Sequence, residues 1–117
     1  MVFVPIIGDV GSLIEVSKAV NTDWFGSNLG LLTAHGGPVK HTIQIRLATT
    51  DSVVKIELDE GTDTDIEMLL NSGNVLVAKA LYIFDLILLI GQTYNIQHET
   101  ATQNVFCSII ESRNVDI

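Results

Sequence analysis

Hydrophobic and polar residues alternate with a period of two along much of the chain after residue 40. In residues 41–47 (HTIQIRL), Ile43, Ile45 and Leu47 fall on one face and polar side chains on the other, and residues 53–58 (VVKIEL) alternate in the same way. Because successive side chains of a β-strand point to opposite faces, this alternation is typical of strands with one buried face. The polar turn between the two segments predicts that they form a hairpin.

The same pattern predicts further short strands, separated by polar turns, at residues 13–20, 65–70, 75–78, 81–86, 93–99 and 105–111. The strands at 65–70 and 75–78 are predicted to form a second hairpin around the turn between them. Helical periodicity of useful length is absent. Short strands with turns every ~10 residues are typical of a sandwich or barrel. We therefore predict an all-β fold: a single antiparallel β-sandwich domain over residues 1–117, jelly-roll-like, with about seven to nine short strands.

The first twelve residues are predicted to form an extended arm ahead of the sandwich. Val2, Val4 and Ile6 alternate with Phe3 and Pro5, and a proline suits an edge or unpaired strand position. An extended apolar segment is most simply satisfied by adding to the sheet edge or groove of a neighbouring molecule. Val2, Phe3, Val4 and Ile6 are therefore candidate interface residues.

Composition narrows the class of protein. Hydrophobic residues make up 47% of the 117 residues, and 14 acidic residues against 6 Lys and Arg give a net charge of −8. The apolar content excludes a disordered tail, and the acid excess argues against a nucleic-acid partner. The start of the chain lacks the positive charge of a signal peptide, and Lys79 and Asp85 interrupt the longest apolar stretch. We therefore expect a soluble protein with no membrane association.

Aliphatic side chains exceed the need of one small core, and the surplus collects in the arm and near residues 86–90. This makes Leu86 and Leu88 candidate subunit contacts. Asp85 lies within the same apolar segment, and we expect it on an exposed strand face rather than in a buried ion pair. The aromatic pair Trp24 and Phe25 has two interpretations: a cap over one end of the sandwich, which is favoured, or an exposed anchor for a partner.

The clearest acidic loop follows the strand at residues 53–58. Asp59, Asp63 and Asp65 are weak candidates for calcium ligands, because hard cations take carboxylate oxygens from short loops. The segment does not match the twelve-residue calcium-loop template, and a solvated turn explains it equally well.

Other chemistry-bearing residues give no recognisable site. His35, His41 and His98 lack the close spacing of a local metal site, and the single cysteine, Cys107, lies in an apolar run that predicts a small buried hydrophobe. No nucleophile–base order or phosphate-binding loop is visible. We therefore predict no catalytic residues, no metal site beyond the weak calcium candidate, no cofactor and no enzymatic activity.

Several strand and turn segments follow one another between about residues 40 and 111, roughly two thirds of the chain. They are the Thr-rich turn between the two alternating strands described first, a Leu-Asn-x-Gly turn at residues 70–73, and residues 80–85 (ALYIFD), 91–97 (GQTYNIQ) and 105–111. In these segments the chain resembles the small β-sandwich virion proteins of tailed bacteriophages. Proteins of this kind decorate the outer capsid, commonly as trimers, or serve in tails and fibres.

The resemblance implies a structural virion protein. The expected function is that of a capsid decoration or cement protein, synthesised in the host cytoplasm and located on the capsid surface. Its expected partners are copies of itself, as a homotrimer, and the major capsid protein. The alternative is a tail or fibre module that binds a host glycan by stacking Trp24, Tyr82 or Tyr94 on a sugar. A weaker third possibility is a metal-dependent adhesion domain that uses the acidic loop.

Overall fold

The computed structural model describes residues 13–30, 38–62, 66–89 and 91–114. The predicted arm lies outside these residues and stays a prediction. Within them, the chain forms eight strands and one short 3-10 turn, Leu70–Gly73. The strands are β1 (Leu13–Lys18), β2 (Leu29–Gly30), β3 (Val39–Leu47), β4 (Val54–Asp59), β5 (Ile66–Leu69), β6 (Tyr82–Leu88), β7 (Thr93–His98) and β8 (Gln103–Asn114).

The strands form two antiparallel sheets of four. The first sheet has the order β1-β8-β3-β6 and the second has the order β2-β7-β4-β5. The first strand pairs with the eighth, the second with the seventh, the third with the sixth and the fourth with the fifth. This is the connectivity of a jelly roll, in which a long antiparallel ribbon folds over so that its strands alternate between two sheets. The predicted antiparallel, jelly-roll-like sandwich is confirmed.

Both predicted hairpins are wrong in their partners. β3 and β4 do not pair, because residues 48–53 carry the chain from the first sheet to the second. β5 pairs with β4, whereas residues 75–78 contribute only a single bridge between Leu76 and Ser52. Alternation identifies the buried face of a strand, but a short polar connection can either turn within a sheet or cross the roughly 10 Å between sheets.

The core lies between the inner faces of the two sheets. Ile43, Ile45 and Leu47 of β3 face inward, as the alternation predicts, and meet the inward side chains of the second sheet. The buried apolar residues are Trp24, Ile43, Ile45, Leu47, Val54, Ile56, Leu58, Leu70, Leu76, Leu86, Leu88, Tyr94, Ile96, Val105, Cys107 and Ile109.

A buried hydrogen-bonded chain closes the end of the sandwich near the β7–β8 turn. The Trp24 indole Nε1–H donates to Nδ1 of His98 at 3.0 Å, and Nε2 of His98 lies 2.8 Å from the carbonyl oxygen of Ala101. The indole nitrogen can only donate, so Nδ1 must be the acceptor and Nε2 carries the proton. Every ring nitrogen of this buried pair therefore has a partner.

Gln103, at the start of β8, fixes the crossover between β3 and β4. Its Oε1 accepts from the backbone N–H groups of Thr49 and Thr50 at 3.1 and 3.0 Å. Its Nε2 donates to the carbonyls of Thr50 and Thr100 at 3.0 and 3.1 Å. One buried side chain thus satisfies four polar groups of two turns, which holds the two sheets in register at this end.

In the part of the chain that the structure describes, no helix has the length and hydropathy needed to cross a bilayer.

Candidate interaction surface

Strand β6 forms one edge of the first sheet. It carries apolar side chains on its outward face as well as on its inward face. It pairs with β3 on one side, and none of the described strands pairs with its other edge. Ile83, Asp85 and Ile87 point outward, whereas Leu86 and Leu88 point into the sandwich. Edge strands of this length are usually protected by charges or by a covering loop. β6 instead presents aliphatic side chains on its outward face.

The exposed residues of this segment differ by one position from those predicted. Leu86 and Leu88 are only 9% and 2% exposed, so their assignment as surface contacts is wrong. The side chains that are 50–57% exposed are Leu81, Ile83, Ile87 and Leu89, which we call the edge stripe. In the run Leu86 to Leu89 every residue is aliphatic, so alternation gives no sign of which face is buried. The neighbouring Asp85 does indicate the exposed face. Because residues two apart in a strand share a face, an outward Asp85 places Ile83 and Ile87 outward and Leu86 and Leu88 inward.

A groove runs between β6 and β5, the edge strands of the two sheets. It has a volume of about 520 Å³. Its apolar lining includes Ile56, Leu58, Met68, Leu86, Leu88 and Leu89. Leu86 and Leu88 therefore form part of its wall, although little of their surface is exposed. We call this feature the β5–β6 groove.

Hydrogen bonds fix the end of the groove near the β6–β7 turn. The backbone N–H of Leu89 donates to Oε1 of Gln92 at 2.8 Å, and the Gln92 N–H donates to the Leu89 carbonyl at 3.0 Å. Nε2 of Gln92 also donates to Oε1 of Glu60 at 2.6 Å. Because Glu60 follows β4, this contact ties the β6–β7 turn to the β4–β5 connection and holds the two sides of the groove together.

Asp85 lies on an exposed strand face, as predicted. The Thr42 hydroxyl donates to its Oδ1 at 2.7 Å, and the Lys40 ammonium lies 3.8 Å from its Oδ2. Both partners belong to β3, the neighbouring strand, so the one carboxylate on the outer face of β6 is held against its own sheet. The aliphatic side chains on either side of it remain exposed.

The outer face of the second sheet is charged by comparison. Lys55 of β4 lies 3.7 Å from Glu57 and 3.4 Å from Glu67 of β5, which is directly opposite Glu57 in the pairing. Burial raises the pKa of the Glu57 carboxyl, and the neighbouring Glu67 carboxylate raises this pKa further, while Lys55 lowers it. Two carboxylates thus compete for one ammonium group.

Trp24 and Phe25 form a cap, which confirms the favoured interpretation and shows that the exposed anchor is wrong. Trp24 is 2% exposed. Phe25 is half-buried, and its backbone N–H and carbonyl both bind the side-chain amide of Asn95 at 2.9 and 3.0 Å. The indole N–H needs an acceptor, and His98 supplies one inside the protein, which stabilises the ring in its buried position.

The aromatic residues considered for sugar stacking are also engaged within the fold. Tyr94 is buried, and its hydroxyl lies 2.9 Å from Nδ1 of His41, a contact that joins the two sheets. Tyr82 is half-buried and stacks parallel to Phe84 with 6.1 Å between ring centroids. Its hydroxyl accepts from the Val77 N–H at 3.0 Å. This arrangement gives no open aromatic platform at Trp24 or Tyr94.

The remaining candidates are local in character. Oδ1 of Asp59 accepts from the Gly61 N–H at 2.7 Å, which is a turn-forming contact, while Asp63 and Asp65 lie outside the described residues. Over residues 13–30, 38–62, 66–89 and 91–114, no three His, Cys, Asp or Glu side chains are grouped so that they could hold a metal ion. Cys107 is buried, as predicted, and burial raises its pKa to about 12.

Comparison of the chain with protein-family models, with curated proteins and with solved structures finds no match.

Proposed function

We propose that this protein is a structural subunit that associates with copies of itself and reinforces a capsid lattice, as a decoration or cement protein of a bacteriophage virion. The observation that carries the proposal is the edge stripe: four large aliphatic side chains, each at least half exposed, along a strand edge that no other described strand covers. Exposed apolar edges promote association, and natural proteins that remain monomeric avoid them.

The fold and the charge are compatible with this role. Jelly rolls occur in viral capsid domains but also in lectins and cupins, so the fold alone does not choose among these functions. The burial of Trp24 and Tyr94 favours an assembly role over the glycan-binding alternative. The net charge of −8 keeps the remaining surface soluble once the edge stripe is covered. A trimer on the capsid surface, in contact with the major capsid protein, is the form of assembly that we propose.

The first test is the oligomeric state of the purified protein. Sedimentation velocity at micromolar concentration should show an oligomer, and the Ile83→Lys/Ile87→Lys variant should dissociate into monomers. Each isoleucine is 57% exposed in one protomer, so burying the pair contributes about 2–3 kcal/mol. The dissociation constant of the variant should therefore rise by about two orders of magnitude.

A matched control uses the opposite edge of the molecule. Val16 on β1 and Val20 beyond it are 38% and 37% exposed, and the Val16→Lys/Val20→Lys variant should assemble as the wild type does. A wild-type protein that stays monomeric at micromolar concentration would contradict the proposal. The capsid role is tested separately by co-sedimentation with phage heads that lack decoration: the wild type should pellet with the heads, and failure to do so would overturn that role.

A further inference from the structure

We infer that the β5–β6 groove receives residues 1–7 of a second copy of the chain, which pair with the free edge of β6. The inference rests on the proposed self-association and specifies its contact. Residues 1–7 (MVFVPII) are all apolar, as is most of the groove lining. An extended segment that adds to a sheet edge gains main-chain hydrogen bonds there, and its alternate side chains enter adjoining pockets.

Residues 1–7 are long enough to pair along the whole of β6. β6 comprises seven residues, and the apolar part of the arm also has seven. At ~3.3 Å per residue each spans about 23 Å. Residues 1–7 can therefore pair along the whole of β6, which includes Ile83 and Ile87 of the edge stripe.

Pro5 defines which edge of the arm pairs with β6. Backbone N–H groups of a strand point alternately to its two edges, and proline has none. The arm must then pair through Val2, Val4 and Ile6, and Pro5 lies on the edge that faces away. A proline on the outer edge prevents a further strand from adding. Each groove therefore takes one arm, and the sheet does not extend into a fibre.

The length of the chain before β1 assigns the arm to a second copy. β1 lies at the opposite edge of the first sheet from β6. Leu13 pairs with Ser108, which pairs with Gln44, which pairs with Ile83. Leu13 and Ile83 therefore lie at the same height along the strands. A strand added beyond β6 would lie four strand spacings from β1, or about 19 Å.

The link from Ile7 to Leu13 is too short for the arm to reach its own β6. The six Cα steps extend to at most about 22 Å. The link would also have to pass over the side chains on the outer face of the sheet, which adds roughly 5 Å at each side. Seven paired residues on β6 therefore require the arm of a neighbouring molecule.

Disulfide cross-linking between differently tagged chains tests this assignment. One chain carries Val4→Cys and the other Asp85→Cys, at the central residues of the two seven-residue segments, and the native Cys107 is buried and does not interfere. Mixed and oxidised, the two should give a covalent heterodimer on a non-reducing gel. As a control, Val4→Cys mixed with Val16→Cys, at the opposite edge of the sheet, should give none.

The other outcomes overturn the inference in distinguishable ways. A chain with both Val4→Cys and Asp85→Cys that closes on itself as a monomer would show that the arm binds its own groove. Cross-linking of Asp85→Cys with itself but not with Val4→Cys would show direct pairing of two β6 edges. A chain lacking residues 1–7 should be monomeric; if it still forms the wild-type oligomer, the arm is not the contact although self-association stands. A monomeric wild type would remove the proposed function as well.

Discussion

Replacing Trp24 by phenylalanine tests whether this residue stabilises the fold or binds a partner. The substitution keeps an aromatic ring in the core but removes the N–H that His98 accepts at 3.0 Å. A buried acceptor left without its donor costs about 1–3 kcal/mol, and the void beside the smaller ring costs about 1 kcal/mol more. We therefore expect a loss of about 2–4 kcal/mol, a large part of the roughly 5–15 kcal/mol that stabilises a typical domain.

The assay is urea unfolding followed by far-UV circular dichroism, because the variant lacks the only tryptophan. A double-mutant cycle with His98→Leu isolates the hydrogen bond, and the coupling energy should be about 1–2 kcal/mol. Val20→Ala, at an exposed position, is the control and should stay within about 0.5 kcal/mol of the wild type.

Two results would refute the reasoning. If Trp24→Phe unfolds within about 0.5 kcal/mol of the wild type, the indole is not the buried, hydrogen-bonded cap described above. If the variant keeps its stability but loses the ability to assemble, Trp24 is a surface anchor after all. Sedimentation velocity on the same samples separates these two outcomes.

Three further predictions follow from buried or crowded polar groups. Gln103→Ala should lower the free energy of unfolding by about 2–3 kcal/mol in urea titrations, because backbone groups in two turns lose their hydrogen-bond partner. A loss no greater than that of Gln44→Ala would contradict this. Glu57→Gln should raise stability at pH 7 by about 0.2–1 kcal/mol. The raised pKa means that the folded state binds the Glu57 proton more tightly than the unfolded state does, so the ionised carboxylate opposes folding. The stability gained by Glu57→Gln should therefore fade as the pH falls toward 4.5, where the wild-type carboxyl becomes protonated in both states. A gain that persists below this pH would contradict the prediction. The Cys107 thiol, with a pKa of about 12, should react with a thiol reagent at pH 8 only in urea, and rapid labelling of the native protein would show that it is accessible.

The alternation of side chains predicted which faces of the strands are buried but not which strands pair. In β3, Ile43, Ile45 and Leu47 are buried as expected, because a half-buried strand needs one apolar face wherever it lies in the sandwich. Pairing depends on how each connection runs, and the polar residues of a tight turn and of a crossover are of the same types. The jelly-roll class could therefore be predicted from the spacing of short strands, whereas the partners of β3 and β5 could not.

The candidate surface could be predicted only in part for a related reason. The sequence placed an aliphatic surplus near residues 86–90, and the exposed Ile87 and Leu89 lie in that segment. It indicated the wrong members, because an unbroken aliphatic run is compatible with either face being buried. The involvement of β5 in the groove depends on the two edge strands lying on the same side of the sandwich, a relation that no local pattern contains.

The distribution of charge over the outer faces argues that the edge stripe is a contact and not a by-product of an apolar composition. Strands inside a sheet are protected by their neighbours, and edge strands are where natural proteins place charge. Here β4, an interior strand, carries outward Lys55 and Glu57, while edge strand β6 carries outward Ile83 and Ile87. A chain with a net charge of −8 has acids to spare for its edge, and it places a single carboxylate there, tied to its own sheet. This inverted arrangement is expected if β6 is covered in the assembled protein.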